Sequence, residues 1–245
     1  MIMIPKVIHY CWFGRNPLPE MAVKCIASWK SFFPDYEIKE WNEDNFDVNI
    51  IPYTRDAYAD GKYAFVSDYA RFWILYNYGG VYFDTDVEVI KQMDDIIERG
   101  PFMGLEISGS NGKIAPGLGL SCEAGNPVYK IILDGFSSLD YHLPDGSRNP
   151  YTMIPMVTDI MREKGLTGTG EVEEVAGIFI YAPDYFNPLD DATGRLRKTE
   201  NTRTIHWFMK SWVQGETLKK IRLKRFLRRV FGSNVLVLVK SILKR

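Results

Sequence analysis

The apolar positions along the first ninety residues change period in a regular order. Lys6–Trp12 (KVIHYCW) is rich in β-forming side chains and ends at Gly14, which predicts a buried first strand. From Pro19 to Phe33 the spacing of Met21, Cys25, Ile26 and Trp29 is helical, and Pro34 stops it. Tyr36–Trp41 alternates and predicts a second strand, followed by a polar NEDN loop and a short helix over Thr54–Lys62. Ser67 is a suitable N-cap for the next helix. Its apolar positions Tyr69, Phe72, Trp73 and Tyr76 recur every three to four residues, and Gly79 or Gly80 closes it. Val81–Phe83 then predicts a short strand running into Asp84, with Val87–Ile90 continuing it after a bend.

Beyond Pro101 the pattern predicts glycine-rich short strands up to Asn126, then a helix over Pro127–Leu139 and loops over 140–155. A helix over Ile154–Lys164, a strand over Val175–Ala182 and a last short strand over Thr202–Phe208 follow, before a basic helix. Strands alternating with helices in the first ninety residues predict an α/β architecture, with a mostly parallel mixed central sheet flanked by helices.

Composition narrows this picture. The 245 residues allow one large domain, expected over 1–215, with an appendage over 216–245. Apolar residues make up 46% and charged residues 25%, which excludes disorder. Net charge is -1, but it is unevenly spread: from Thr217 to Arg245 there are ten Lys or Arg and no Asp or Glu. Three cysteines (Cys11, Cys25 and Cys122) with no close pairing argue against a disulfide framework or a zinc site. Buried thiols and a reducing, cytoplasmic setting are expected. The start, MIMIPKVIHY, lacks a signal-peptide pattern, and no segment is long enough to span a bilayer.

Residues 65–88, FVSDYARFWILYNYGGVYFDTDVE, place Asp68, Arg71, Asp84 and Asp86 in the most apolar part of the chain. Asp84 and Asp86, at i and i+2, fall on one side of an extended segment at a strand's carboxyl end, where ligands of α/β sheets bind. Two close carboxylates repel unless one is protonated or a cation lies between them. Mg²⁺ or Mn²⁺ suits such oxygens. Asp68 and Arg71, at i and i+3, share a helix face; they form either an ordinary ion pair or a charged lip facing a cleft.

The run SDYARFWILYNYGGVYFDTDVE, the opening IPKVIHYCWFG and the late IHWFMKSW (205–212) together resemble glycosyltransferase family 32. That family includes capsular polysaccharide transferases and mannosyltransferases with a DXD sugar-binding region. The resemblance is clear over about residues 4–90 and patchy to Trp212. It implies a type A glycosyltransferase (GT-A) fold, a single Rossmann-like domain, and a UDP- or GDP-linked sugar donor with Mn²⁺ or Mg²⁺. It also implies transfer of a hexose with retained configuration to a glycan or lipid-linked oligosaccharide, in capsular or surface polysaccharide synthesis. Under it, Trp12 and the strand around His9 hold the nucleotide base, and Asp68 and Arg71 contact the donor sugar. Asp84 touches ribose or sugar and the metal's shell, Asp86 ligates the metal, and His206 completes the metal site. Ser211 and Trp212 belong to the same late motif, in which a Trp closes over the diphosphate, and Lys210 is a further candidate for its charge. On this reading the divalent ion counters Asp84 and Asp86, and the donor counters Arg71. Asp68, Arg71, Asp84 and Asp86 form the catalytic set. Residues 104–155 are expected to build the acceptor side, with Glu106, Asn111, Glu123 and Asp145 as its polar candidates.

The basic tail mixes Lys and Arg with Leu, Ile, Val and Phe, a composition suited to an anionic membrane surface at the inner face of the cytoplasmic membrane. No nucleic-acid-reading motif accompanies the charge. Two rivals stand beside the transferase: an Asp-x-Asp phosphohydrolase, and a non-catalytic nucleotide-sugar binding module. Against the former, Glu88 occupies the place where such hydrolases carry Thr or Val.

Overall fold

The computed structural model describes residues 3–107, 112–209, 223–226 and 228–229. In chain order the elements are β1 (Val7–Cys11), α1 (Glu20–Phe32), β2 (Glu37–Trp41), α2 (Pro52–Ala59), α3 (Tyr63–Tyr78), β3 (Gly80–Tyr82) and β4 (Val87–Val89). Then come α4 (Asp94–Ile97), β5 (Phe102–Ile107), β6 (Lys113–Ile114), a 3₁₀ turn (Pro116–Leu118), β7 (Leu120–Cys122), α5 (Pro127–Ser137) and α6 (Met153–Glu163). The last are β8 (Glu173–Val175), β9 (Ile178–Tyr181), α7 (Pro183–Phe186), β10 (Leu189–Asp190), β11 (Arg195–Leu196) and β12 (Thr204–His206).

The central sheet runs β2-β1-β3-β7-β5-β9-β8, with β6 paired to β5. Within that path β2, β1, β3, β5 and β9 share one direction and β7 and β8 oppose it, so the sheet is mixed but mostly parallel. Side chains alternate across it, as the two-residue period of a strand requires. Ile8, Tyr10 and Val81 enter an apolar layer with α1, around Trp29 and Phe33. Cys11 and Tyr82 enter the opposite layer, formed with α2, α3, α5 and α6. The core therefore lies on both faces of the sheet. Cys11, Cys25 and Cys122 are all buried and free.

Two departures from the sequence expectation have local causes. Helix α3 begins at Tyr63, a turn before Ser67, and Ser67 Oγ bonds back to the Tyr63 carbonyl at 3.2 Å. A serine can serve a cap or an interior back-bond, and neighbouring packing decides which. The expected strand over Val175–Ala182 is a hairpin, β8–β9, because Ala176 (φ 51°) and Gly177 (φ 80°) both adopt left-handed conformations and reverse the chain.

The pair Gly79–Gly80 fixes how α3 hands the chain to β3. Gly79 ends the helix at φ 65°, and Gly80 sits at φ 107°. A Cβ on Gly80 would stand 2.7 Å from the Val7 carbonyl oxygen and 3.0 Å from His9 Nε2, so only glycine fits. His9 belongs to this junction rather than to a ligand cleft, which corrects its expected role at a nucleotide base. Its side chain is buried, with Nε2 3.0 Å from the Gly79 carbonyl and Nδ1 accepting from Trp41 Nε1 at 3.0 Å. A carbonyl only accepts and an indole N–H only donates, so the ring is the neutral Nε2–H tautomer.

Burial lowers the His9 pKa to about 4, opposed by the Gly79 hydrogen bond and aided by Lys39. The unfolded chain, with an ordinary value near 6.5, then takes the proton first as pH falls. Stability from this group is complete above pH ~6.5 and lost downwards, by about 1.4 kcal/mol per pH unit until the folded value is reached. Urea unfolding at pH 7 and pH 5 should show the wild type losing about 2 kcal/mol more than His9→Gln. Equal losses would contradict the buried neutral ring.

Candidate active site

The carboxyl ends of β1, β3 and β5 meet one cleft of about 820 Å³. The Asp84–Asp86 segment leaves the sheet where Phe83 N–H bonds the His9 carbonyl at 3.2 Å. It then turns into β4, which belongs to a separate two-stranded ribbon with β12 rather than to the main sheet. That ribbon brings His206, distant in sequence, opposite Val87. Helix α1 covers the ribbon with side chains: Trp29 Nε1 donates to the Val87 carbonyl at 2.7 Å, and Ser28 Oγ accepts from Val89 N–H at 2.9 Å.

Three side chains converge here. One ligand atom from each of Asp84, Asp86 and His206 lies within 4.8 Å of the other two. Asp86 Oδ1 stands 3.1 Å from His206 Nε2, and its Oδ2 accepts from Met209 N–H at 2.8 Å. Asp84 Oδ1 accepts from Tyr82 Oη at 3.1 Å and from Arg71 at 3.2 Å. The second imidazole nitrogen, Nδ1, is buried without a partner among the described residues. Adjacent ligands of an octahedral ion with bonds of about 2.1 Å stand about 3 Å apart, the spacing already present between Asp86 and His206. Two hard carboxylates and an imidazole form a donor set that fits a divalent ion such as Mn²⁺ or Mg²⁺.

Arg71 explains part of the charge buried in α3. It is only 3% exposed, lies with its guanidinium 5.0 Å from the Tyr82 ring centre, and donates from Nε to the Ser67 carbonyl at 3.0 Å. One terminal nitrogen is shared between Asp68 at 3.1 Å and Asp84 at 3.2 Å. The ordinary ion pair expected of Asp68 and Arg71 is present, and Asp84 joins Asp68 in countering Arg71, which aims Asp84 towards the cluster with Asp86 and His206.

The site nevertheless remains short of positive charge. Burial pushes Asp68 up to about 6, against the pull of Arg71 and with Asp84 adding to the rise. Burial also raises Asp84, Arg71 opposing it and Asp86 reinforcing it. For Asp86 the penalty of burial is overcome by His206, and its carboxyl falls below the usual range. His206 moves the other way: burial lowers it, but Asp86 more than reverses that. Asp86 and His206 thus each favour the charged form of the other, and a metal bound there would replace that pairing.

Asp86 also imposes strain. Its main-chain carbonyl accepts from Trp207 N–H at 2.9 Å while its carboxylate holds Met209 N–H. Phe208, clamped between them, adopts φ 50°, and its ring packs 4.2 Å from that of His206. A left-handed non-glycine residue costs on the order of 1–3 kcal/mol and persists where its surroundings over-determine it.

Of the remaining expected residues, Trp12 lines the cleft with Asp68, Arg71, Asp84, Asp86 and His206, its indole N–H donating to the Asn16 carbonyl at 2.6 Å. Lys210, Ser211 and Trp212 lie outside the described residues, as do Asn111 and most of the tail. Glu106 reaches the cleft wall. Glu123 instead accepts from the α5 cap residue Asn126 at 3.0 Å, and Asp145 is taken up in an exposed turn with Ser147.

Sequence reasoning missed Tyr82, Met209, Arg148 and Gly117. Tyr82 was legible as the i−2 neighbour of Asp84 on one strand face. Arg148 lines the far side of the cleft and lies 5.1 Å over the Phe65 ring, a contact without a local sequence signal. Gly117 is a contact of the fold: a Cβ there would stand 2.2 Å from Asp84 Oδ2 and 3.4 Å from an Arg71 nitrogen.

An α/β sheet with an acidic cluster beside a cleft at its strands' carboxyl ends defines a ligand-binding α/β fold. Residues 19–103 match the family described as "Glycosyltransferase sugar-binding region containing DXD motif". Over 98 residues it is 34% identical to inositol phosphoceramide mannosyltransferase 3 of Schizosaccharomyces pombe, covering 38% of this chain and 27% of that protein. Over 105 residues it is 30% identical to the mannosyl phosphorylinositol ceramide synthase CSH1 of Saccharomyces cerevisiae, covering 41% and 28%. The matched region thus spans under a third of either relative. Among solved structures, the PaToxG glycosyltransferase superposes with a TM-score of 0.52 at 19% identity, over 66% of this chain and 70% of that one. The fold is that of GT-A glycosyltransferases.

Gly117→Ala tests the geometry without touching a ligand. The added methyl must push Asp84 off its position, so Mn²⁺ affinity measured by calorimetry should fall about tenfold or more, with the circular dichroism spectrum retained. Unchanged affinity would contradict the position assigned to Asp84.

Proposed function

We propose that the protein is a metal-dependent glycosyltransferase that moves a hexose from a UDP- or GDP-sugar to a glycan or lipid-linked oligosaccharide, with retention of anomeric configuration. Capsular or surface polysaccharide synthesis is the proposed setting. The observation that carries the reading is the cluster of Asp84, Asp86 and His206 at the mouth of a cleft that also contains Trp12 and the Asp68–Arg71 pair. The yeast relatives are named for mannosyl transfer, which makes a mannosyl donor the first to try.

In this reading Asp84, Asp86 and His206 hold the ion. When bound, it supplies positive charge against the negative charge that builds on the departing diphosphate. Arg71 and Tyr82 keep Asp84 aimed at that ion. Met209 N–H and His206 do the same for Asp86. Trp12, at the end of β1, offers a ring face suited to a nucleotide base. Asp68, at the cleft wall, offers a carboxylate to sugar hydroxyls. Membrane contact through the basic tail, at the inner face of the cytoplasmic membrane, is proposed from its composition alone.

Asp86→Asn keeps the size of the side chain and removes its charge. Release of nucleoside diphosphate from a panel of UDP- and GDP-sugars, GDP-mannose among them, with Mn²⁺ should fall on the order of 10²-fold or more while the fold persists. Full turnover by that variant, or turnover indifferent to chelation of the metal, would overturn the reading.

A further inference from the structure

The chain leaves β1 through a turn that forms one wall of the cleft. Trp12, Asn16 and Pro17 line that wall, with Tyr63 beside them. The turn is strained: Gly14 sits at φ 93°, and Arg15, which carries a side chain, at φ 53°. Position 14 also has no room for a methyl group, because a Cβ would stand 2.2 Å from the Tyr63 ring. Phe13 anchors the start of the turn in the core, its ring 5.7 Å from that of Phe46. The Trp12 indole N–H closes the turn on the Asn16 carbonyl at 2.6 Å. The orientation of the indole is therefore tied to the path of residues 13–16.

The grip on this turn comes from another loop, the polar NEDN segment that follows β2. Asn42 organises that segment: its N–H donates to Asn45 Oδ1, its Oδ1 accepts from Asp44 N–H, and its carbonyl accepts from Phe46 N–H, each at 2.9 Å. From this platform the half-buried Glu43 reaches across to the turn. One of its carboxylate oxygens accepts from Gly14 N–H at 2.6 Å and from Tyr58 Oη at 2.9 Å. The Tyr58 ring in turn packs 5.3 Å from that of Tyr63. Asp44 pairs with Arg15 at 2.6 Å, but those side chains are 63% and 68% exposed, so water screens the contact and Glu43 carries the hold. A hydrogen bond to an ionised acceptor is roughly twice as strong as a neutral one. Burial raises the Glu43 carboxyl, yet the Gly14 N–H, its own N–H, Tyr58 and Arg15 together bring it below the usual range.

We infer that Glu43 is a positioning residue for the nucleoside end of the donor: it clamps the Gly14–Arg15 turn and so presents Trp12 and Asn16 in one fixed orientation to the base. The inference rests on the glycosyltransferase reading and adds to it a residue that does not itself line the cleft. Without the clamp the turn relaxes from its left-handed conformation, and only the fraction of molecules that keeps the strained form is ready to bind. Apparent affinity falls by that fraction. The cluster of Asp84, Asp86 and His206, where the diphosphate end would lie on an ion, is left as it was.

The test uses the full chain with Mn²⁺ and the variants Glu43→Ala, Glu43→Gln and Tyr58→Phe. Calorimetry measures binding of UDP, GDP and inorganic pyrophosphate. The alanine variant should bind the nucleoside diphosphate that the wild type prefers about tenfold more weakly, and pyrophosphate as the wild type does. Glutamine keeps an oxygen able to accept both hydrogen bonds and should recover most of the loss. Tyr58→Phe applies the same criterion with a milder lesion and should weaken nucleoside diphosphate binding about threefold, again sparing pyrophosphate. In nucleotide-sugar hydrolysis the alanine variant should show a raised KM with kcat retained. Nucleoside diphosphate binding at wild-type strength in the alanine variant would overturn the proposal. So would an equal loss of pyrophosphate binding, or a glutamine variant as weak as the alanine one. A wild type that binds neither UDP nor GDP would instead sink the donor reading itself.

Discussion

Keeping Asp84 and Asp86 together at the edge of the core is the constraint around which this protein is arranged. Each ionised carboxylate withdrawn from water carries a desolvation cost that only a paired charge offsets. Their side chains are 27% and 13% exposed, so water screens them incompletely. Arg71 supplies one positive charge but divides it between Asp68 and Asp84, and His206 supplies a second to Asp86 only while protonated. The raised pKa of Asp84 and the raised pKa of His206 express one deficit from opposite sides. A bound divalent ion would remove both.

The scaffold makes this deficit sustainable. Gly79 and Gly80 let α3 deliver β3 into the middle of the sheet, against β1, so that the chain emerges at Asp84 beside the end of β1. The β4–β12 ribbon carries His206 across a long sequence separation, and Trp29 and Ser28 satisfy β4 groups that its single partner strand leaves open. Asp86 acts as a hub: its carbonyl and carboxylate hold Trp207 and Met209, and Phe208 accepts an unfavourable φ between them. The proposed chemistry and the fold share atoms here, so a change at Asp86 also alters local geometry.

Much of this was legible in the chain. The helix and strand order through residue 90, the closure of α3 at the Gly79–Gly80 pair and the acidic pair beyond β3 followed from periodicity and turn chemistry. His206 could be named only through family resemblance, because its meeting with Asp86 depends on strand pairing that no local pattern encodes. His9 was misplaced for a related reason. The resemblance placed the strand around His9 at the nucleotide base, yet the Gly79 carbonyl and the Trp41 indole satisfy its ring inside the core. Gly117 was invisible because its value lies in the absence of a methyl group beside Asp84, a property of packing rather than of sequence. The start of α3 was set too late because Ser67 offered a cap chemistry that the packed helix does not use.

The central claim is that a divalent ion and a diphosphate together complete the charge balance at Asp84, Asp86 and His206. Electron paramagnetic resonance of free Mn²⁺, titrated with the full chain in the presence and absence of a nucleoside diphosphate, measures this directly. The account predicts one bound Mn²⁺ per chain, held more tightly when the nucleotide is present. A signal unchanged by the protein under both conditions would contradict it.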